Sequence, residues 1–154
     1  MILGVSPGRA AVVIAHTTGA GETFVIRSIK SIPFQARSGD DLTELLPLLV
    51  SAFQRGGKSR PATIALLASS SGRFKSAVEA IKAEAIIELA AAETGVPVVK
   101  VTAASLKKAL GCATGQKWQA RARERFNRTG RHKNWSLGAA GAAAAALKVA
   151  GGTT

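Results

Sequence analysis

The stretch that decides the fold is ILGVSPGRAAVVIAHTTGAGETFVIRSIKSI, residues 2–32. It contains three apolar runs rich in Val and Ile that are separated by turn residues. Pro7-Gly8 ends the first run, and Gly19-Ala20-Gly21 separates the second run from the third. Apolar runs at such close spacing predict an antiparallel meander of three β-strands. The predicted strands are Ile2–Ser6, Ala10–His16 and Thr23–Ile32.

The rest of the chain alternates between helix and strand patterns. Helices are predicted over Leu42–Gln54, Lys75–Glu93, Ala104–Leu110, Lys117–Asn127 and about Ser136–Ala150, and strands over Ala62–Ala68 and Val96–Val101. Asp40 or Asp41 is expected to cap the first helix. A meander followed by β-α-β crossovers predicts an α/β fold, with a mixed five-stranded sheet and helices on both faces. We expect a single domain over residues 1–150 and a flexible tail over 151–154.

Composition narrows the class of protein further. The 154 residues are 47% hydrophobic and 19% charged, which excludes a disordered polymer. The single cysteine, Cys112, excludes a disulfide framework, and with only His16 and His132 beside it no zinc site can be assembled. The start of the chain has no signal-peptide pattern, and the apolar stretch Gly138–Ala146 is too short to cross a bilayer. We therefore expect a cytoplasmic protein, the nucleoid included.

Charge is distributed unevenly along the chain. The net charge is +12, yet residues 1–54 hold four cations and four acids, so the whole excess lies beyond residue 54. Residues 117–133 hold seven cations and one acid, Glu124, which is half of that excess. A polyanion is the natural partner of so basic a chain, and nucleic acid is the partner we expect.

The basic segment has helical spacing. Its cations at Lys117, Arg121, Arg125 and Arg128 share one helix face, and Trp118, Ala122 and Phe126 form a neighbouring apolar stripe that would anchor the helix. A solvated face is the alternative interpretation. Like charges at this spacing repel one another, whereas a phosphate backbone across the face would neutralise them. The pattern therefore favours phosphate contact.

Other cations lie in loops. Arg9 follows Ser6-Pro7-Gly8, and Arg73 and Lys75 follow a run of serines and Gly72. Both loops could contact phosphate, with tight turns as the structural alternative. Arg131 and Lys133 flank His132 near Trp135, a basic and aromatic patch whose tryptophan either stacks on a base or packs the last helix onto the core. We include Arg9, Arg73, Lys75, Arg131 and Lys133 among the candidate nucleic-acid contacts.

Four segments resemble the RuvC-type Holliday-junction resolvases of the ribonuclease-H-like superfamily. ILGVSPG at residues 2–8 is similar to the family's first-strand motif, and VPVV at 96–99 with LKKALG at 106–111 is similar to its last strand and lysine-bearing segment. The loop ending in GQK at 115–117 resembles its second lysine segment. LGAAGA at 137–142 resembles the start of its last helix. The four occur in the family's order, and the likeness covers nearly the whole chain.

The resemblance implies a phosphodiester-cleaving centre in which four carboxylates hold two metal ions. Carried across, the four positions fall at Ser6, Leu66, Gly138 and Gly141, none of which is acidic. Magnesium needs oxygen ligands, mostly from Asp and Glu, so the resemblance implies a scaffold without its metal site and without catalytic residues. We expect no cofactor. Mg²⁺ would be required only if the chain were an active structure-specific endonuclease with non-standard ligands.

The lysine positions of the family are retained. Lys107, with Lys108 beside it, and Lys117 match positions that the resemblance places close to the scissile phosphate. We therefore expect metal-independent binding of branched or duplex DNA, as in a degenerate nuclease of a recombination or repair pathway. Two alternatives stay open, namely the active endonuclease and a non-catalytic domain that binds a protein partner.

The two longest predicted helices carry further expectations. Members of the family dimerise through the long helix, so its apolar residues either contact a second copy of the chain or cover the sheet; they are Val78, Ile81, Ala85, Ile86 and Leu89. Its glutamates are expected on a solvated face, with Lys75 and Lys82 as partners; they are Glu79, Glu84, Glu88 and Glu93. In the last helix, Gly138, Gly141 and the five alanines at 142–146 predict a close approach to the sheet.

Overall fold

The structure, a computed structural model, describes residues 1–54, 60–69, 77–127 and 137–151, with the side chains of Asn127 and Leu137 left out. Five strands and five α-helices follow one another along the chain. They are β1 (Ile2–Pro7), β2 (Ala11–Thr18), β3 (Val25–Pro33), α1 (Gly39–Gln54), β4 (Thr63–Leu67), α2 (Val78–Thr94), β5 (Val98–Val101), α3 (Ala103–Ala109), α4 (Trp118–Asn127) and α5 (Leu137–Ala150). In the described ranges, no helix has the length and apolarity that crossing a membrane requires.

The strands form one mixed sheet in the order β3-β2-β1-β4-β5. β1 pairs antiparallel with β2, and β2 with β3, which is the meander expected from residues 2–32. β1 pairs parallel with β4, and β4 with β5, because a helical crossover precedes each of these additions. The predicted fold class, a five-stranded mixed sheet with helices on both faces, is confirmed.

Each face of the sheet is covered by different helices. α1 and α2 pack on one face, where the buried side chains include Leu3, Val5, Leu49, Phe53, Leu66 and Ile87. α3, α4 and α5 pack on the other face, where they include Val13, Ala65, Val101, Leu106, Phe126 and the alanines of α5. Successive residues of a strand point to opposite faces, so Leu3 and Val5 of β1 lie on the α1/α2 face, and Gly4 and Ser6 lie on the α5 face.

The contact between α5 and β1 is unusually close. A Cβ added to Gly4 would collide with the backbone carbonyl oxygen of Ala142 and would lie 3.0 Å from the Ala146 methyl group. Ala142 to Ala146 are all fully buried. The predicted close approach of the last helix is therefore present, and Gly4 and the alanines permit it together.

The cap of α1 differs from the prediction. The helix begins at Gly39, so Asp40 and Asp41 lie in its first turn instead of preceding it. Ser38 Oγ accepts the Asp41 N–H at 3.5 Å, and Asp41 accepts hydrogen bonds from the Arg37 N–H at 2.9 Å and from Arg37 Nε at 3.2 Å. These bonds to Arg37 lower the pKa of Asp41. Acidic residues in the first turn of a helix interact favourably with its dipole. This explains the pair Asp40 and Asp41 as well as a capping function would.

The glutamates of α2 also differ from the prediction. Glu84 is only 13% exposed, accepts the Ser69 N–H at 2.9 Å and accepts a hydrogen bond from the Ser69 hydroxyl. Lys100 Nζ on β5 lies 3.5 Å from Glu84 and 2.7 Å from Glu88. Lys82 instead donates to the Ala36 carbonyl. Glu84 is therefore a link between α2, β5 and the end of β4, and the solvated-face prediction is wrong for it. Lys75 lies outside the described residues.

Candidate nucleic-acid interface

The carboxyl ends of β1 and β4 meet at the start of α5. Because Val5 pairs with Leu66 in the parallel ladder, Ser6 and Leu67 follow side by side at this edge. A Cβ added to Gly141 of α5 would lie 2.9 Å from Leu67 Cδ2 and 3.2 Å from Ser6 Oγ. Ser6 is 6% exposed, which makes it a rare buried polar residue in the described core. We call Ser6, Leu67, Gly141 and their neighbour Trp118 the strand-end centre.

Three of the four positions predicted from the resemblance lie at this end of the molecule. Ser6 and Gly141 are neighbours in the strand-end centre, and Gly138 lies three residues before Gly141 on α5. Leu66, the fourth, does not join them. Its fully buried side chain lies on the α1/α2 face, and Leu67 takes the place beside Gly141. A shift of one residue in a strand moves a side chain to the opposite face, and this accounts for the error.

Trp118 completes the strand-end centre. Its Cη2 atom lies 3.5 Å from the position of a Cβ added to Gly141. The prediction that Trp118 anchors α4 together with Ala122 and Phe126 agrees with the structure, since Ala122 is fully buried and Phe126 is 4% exposed. The position of Trp118 between α5 and the strand ends was missed, because helical spacing identifies a buried face but not the element that it meets.

The residues of the strand-end centre do not fit a divalent metal. Its side chains offer a single neutral hydroxyl, that of Ser6, beside an aliphatic and an aromatic group. Hard cations need several oxygen ligands, most of them carboxylates. Within the described ranges, no three His, Cys, Asp or Glu side chains are grouped where they could hold a metal ion. Asp41, Glu84 and Glu88 are instead paired with Arg37 and Lys100.

Exposed cations lie on the segments that connect to this centre. Lys107 and Lys108 lie in the last turn of α3, and Lys117 lies directly before Trp118. Arg9 lies in the turn that follows Ser6 and Pro7 of β1. We call the described cations near these segments the basic surface. Its members are Arg9, Lys107, Lys108, Lys117 and Arg123, which are exposed, and Arg125, which is half-buried. Arg123 is an addition from the structure, because it is exposed on the outer face of α4, away from Trp118 and Ala122.

The loop between α3 and α4 is held by backbone hydrogen bonds. Gly111, in the left-handed region at φ 66°, donates to the Lys108 carbonyl at 3.2 Å, and Cys112 donates to the Lys107 carbonyl at 3.0 Å. Gln116 closes the second half of the loop. Its N–H donates to the Ala113 carbonyl and its Oε1 accepts the Ala113 N–H, both at 3.0 Å. The backbone of Lys117 is therefore fixed relative to that of Lys107 and Lys108.

Arg121 has a structural function as well as a charge. Its Nε donates to the Leu110 carbonyl at 3.2 Å, and its Nη1 lies 3.3 Å from Glu124 Oε2. The side chain is 33% exposed. Sequence spacing had placed Arg121 among the phosphate contacts, but these bonds commit part of its guanidinium to joining α4 to the end of α3. We therefore leave Arg121 out of the basic surface.

Five of the candidate contacts lie outside the described residues, namely Arg73, Lys75, Arg128, Arg131 and Lys133, and so do His132 and Trp135. They stay sequence-based predictions.

The fold is similar to solved structures of junction resolvases. It aligns with Thermus thermophilus RuvC in complex with a Holliday junction substrate at a TM-score of 0.71, with 18% identity over 96% of this chain and 90% of that chain. It aligns with T. thermophilus RuvC alone at 0.72, with 17% identity over 96% and 91%. It aligns with the yeast mitochondrial Holliday junction resolvase at 0.63, with 9% identity over 97% and 76%. The chain has a RuvC-like fold.

No protein-family model matches the sequence, and no curated protein sequence matches it either.

Proposed function

We propose that this chain binds branched or duplex DNA through the basic surface, without a divalent metal ion and without cleaving the strand. The observation that carries the proposal is the strand-end centre, where Ser6, Leu67, Gly141 and Trp118 occupy the edge at which β1 and β4 end. The likeness to a RuvC structure that contains a Holliday junction supports nucleic acid as the ligand.

Electrostatics support binding without metal. A cluster of carboxylates repels DNA phosphates unless cations neutralise it, and the strand-end centre contains none. Two members of the basic surface lie close to that centre in the chain, Arg9 three residues after Ser6 and Lys117 directly before Trp118, and the net charge of the chain is +12. Lysines and arginines that contact phosphates displace condensed counterions, which supplies affinity that does not depend on Mg²⁺.

The test is a salt-titrated binding measurement on a four-way junction, a duplex and a single strand, each with EDTA and with Mg²⁺. We expect the same affinity in both conditions and a linear fall of log K with log salt, of about 0.9 per phosphate contact on duplex DNA. Removing charge from Lys107, Lys108 and Lys117 together, each as Lys→Gln, should reduce that slope by about 2–3. A large loss of affinity in EDTA contradicts the proposal.

A matched control is available on the opposite face of the sheet, the face that α1 and α2 cover. Lys30 is exposed on β3 and pairs with Ile14, whose side chain lies on the α1/α2 face. Lys30→Gln should leave the slope unchanged. Cleavage of the junction with Mg²⁺ or Mn²⁺ would instead favour the active endonuclease with non-standard ligands. Absence of salt-dependent affinity would favour a domain that binds a protein partner.

We propose in addition that two copies of the chain associate through α2. Val78, Ile81 and Leu89 are 62%, 48% and 46% exposed, and Leu48 of the neighbouring α1 is 51% exposed. Ala85 lies on the same exposed side of α2, whereas Ile86 is half-buried against the core and covers the sheet. Several exposed apolar residues on one side of a helix, among acidic and polar neighbours, are typical of an interface. A second copy is the occupant that the sequence resemblance to RuvC-type resolvases favours.

A further inference from the structure

We infer that the strand-end centre is closed to divalent cations by packing, with Trp118 as the closing residue, so that restoring carboxylates alone would not restore metal binding. This goes beyond the lack of acidic ligands, because it concerns the space in which a metal would bind. It is also independent of whether the chain binds DNA.

The space around Gly141 is tightly filled, so a side chain there would displace its neighbours. An added Cβ would lie 2.9 Å from Leu67 Cδ2, which is nearer than carbon atoms approach without displacement, and 3.2 Å from Ser6 Oγ. Trp118 Cη2, at 3.5 Å, closes the remaining side at van der Waals distance. Two metal ions stand about 3.5–4 Å apart in such centres and need room for their ligands as well. Ser6 Oγ, Leu67 Cδ2 and Trp118 Cη2 therefore occupy the space beside Gly141 in which such ions would have to bind.

Trp118 is held in place by the whole of α4. One turn further along, Ala122 is fully buried. Phe126 packs against Phe24, with ring centroids 6.1 Å apart and ring planes tilted by 45°. The Arg121 N–H donates to the Lys117 carbonyl at 3.2 Å, and Arg121 Nε fastens the same turn to Leu110. These contacts fix the backbone of the first turn of α4, from which the Trp118 side chain reaches Gly141.

The main experiment restores acids with and without the indole. One variant carries Ser6→Asp, Leu67→Glu, Gly138→Asp and Gly141→Asp, and the second carries Trp118→Ala in addition. Mn²⁺ binding is measured by calorimetry and by the electron paramagnetic resonance signal of free Mn²⁺, with circular dichroism to confirm the fold. We expect no measurable Mn²⁺ binding by the first variant and saturable binding by the second.

Two results would overturn the inference. Mn²⁺ binding of equal affinity by both variants would show that Trp118 does not close the centre. Absence of binding by two folded variants would show that something other than Trp118 excludes the ion.

A second measurement needs no large change of charge. Alanine is a better helix former than glycine, so Gly141→Ala in an open helix position raises stability. In a closed centre we expect the opposite, a fall in Tm of several degrees, on the order of 4 °C or more. The fall should be smaller in a Leu67→Ala background, because Leu67 Cδ2 is the nearest atom. A Gly141→Ala variant with a higher Tm than the parent would contradict the closure even if the acidic variants failed to fold.

Discussion

Arg121 Nε donates a hydrogen bond to the backbone carbonyl of Leu110 at 3.2 Å, across eleven residues of chain. The bond fastens the first turn of α4 to the end of α3. Lys107 and Lys108 lie on the α3 side of this contact, and Lys117 lies on its α4 side. This half-buried contact and the backbone hydrogen bonds of the loop together set the relative positions of three exposed cations.

Arg121 and Lys117 should behave differently when each loses its charge. Arg121→Gln removes the bond to Leu110 and the ion pair with Glu124, so we expect a loss of about 1–2 kcal/mol in the free energy of unfolding. Lys117→Gln should leave that free energy unchanged and reduce the salt slope of DNA binding by about 0.9. Chemical denaturation and salt-titrated binding of both variants make the comparison. Equal stability of the two variants would contradict the structural function of Arg121.

Gly4 should tolerate no side chain. Gly4→Ala places a methyl group against the Ala142 carbonyl oxygen, so either β1 or α5 must shift, at a cost of about 1–3 kcal/mol. Gly39→Ala is the matched control, because an added Cβ there meets no atom within 4 Å. Thermal unfolding should show a lower Tm for Gly4→Ala and an unchanged or higher Tm for Gly39→Ala. The reverse order would mean that α5 does not approach β1 so closely.

Glu84 should matter more than its neighbour Glu88. Glu84→Gln weakens the bonds from the Ser69 N–H and hydroxyl and leaves Lys100 with one carboxylate fewer, at a cost of about 1–3 kcal/mol. Glu88 also pairs with Lys100 but is 44% exposed, so Glu88→Gln should cost less than about 1 kcal/mol. Urea unfolding measures both values. Similar costs would show that Glu84 does not link β4 to α2.

His16 should make the fold sensitive to mild acid. Burial, and to a smaller extent the charge of Lys30, lowers the pKa of His16 below its ordinary value of 6.5. The unfolded chain therefore takes up the proton first, and stability falls as the pH drops from 6.5 through the lower pKa of the folded state. Urea unfolding at about pH 7.5 and about pH 5 should show this loss in the parent and a smaller one in His16→Gln. An equal loss in both proteins would exclude His16 as its source.

The exposed apolar residues of α2 should control association. Ile81→Glu places a charge among them, so we expect a monomer at concentrations at which the parent is a dimer. Val99→Glu is the control, since Val99 is 45% exposed but lies on β5. Light scattering coupled to size-exclusion chromatography gives the mass of each. A monomeric parent would contradict the proposed dimer directly.

The fold follows from patterns that act over a few residues. Alternating apolar residues and Pro or Gly turns identify the strands, and β3 and β5 begin only two residues later than predicted. The errors concern relations between elements. Whether Leu66 or Leu67 faces α5 depends on the pairing of β4 with β1, and the partner of Glu84 depends on where β5 lies. Neither pairing can be deduced from spacing within one element.

The strand-end centre was predicted only in part for the same reason. Ser6 and Gly141 were found through motifs that each lie within one segment of the chain. Trp118 was assigned correctly to the buried face of α4, but its meeting with Gly141 joins residues that are far apart in the chain. Trp118 was hard to predict because it fills space where the resemblance implies metal ligands and is not itself one of those ligands.

Because of the alanines of α5, the two faces of the sheet should differ in how well they tolerate substitutions. On the α1/α2 side, Leu49, Phe53 and Ile87 offer several rotatable bonds that can rearrange around a substitution. Between α5 and β1, methyl groups and backbone meet directly, and no side chain there can rotate to make space. Random mutagenesis would therefore find fewer permissive positions where α5 meets β1 than between the sheet and the helices α1 and α2.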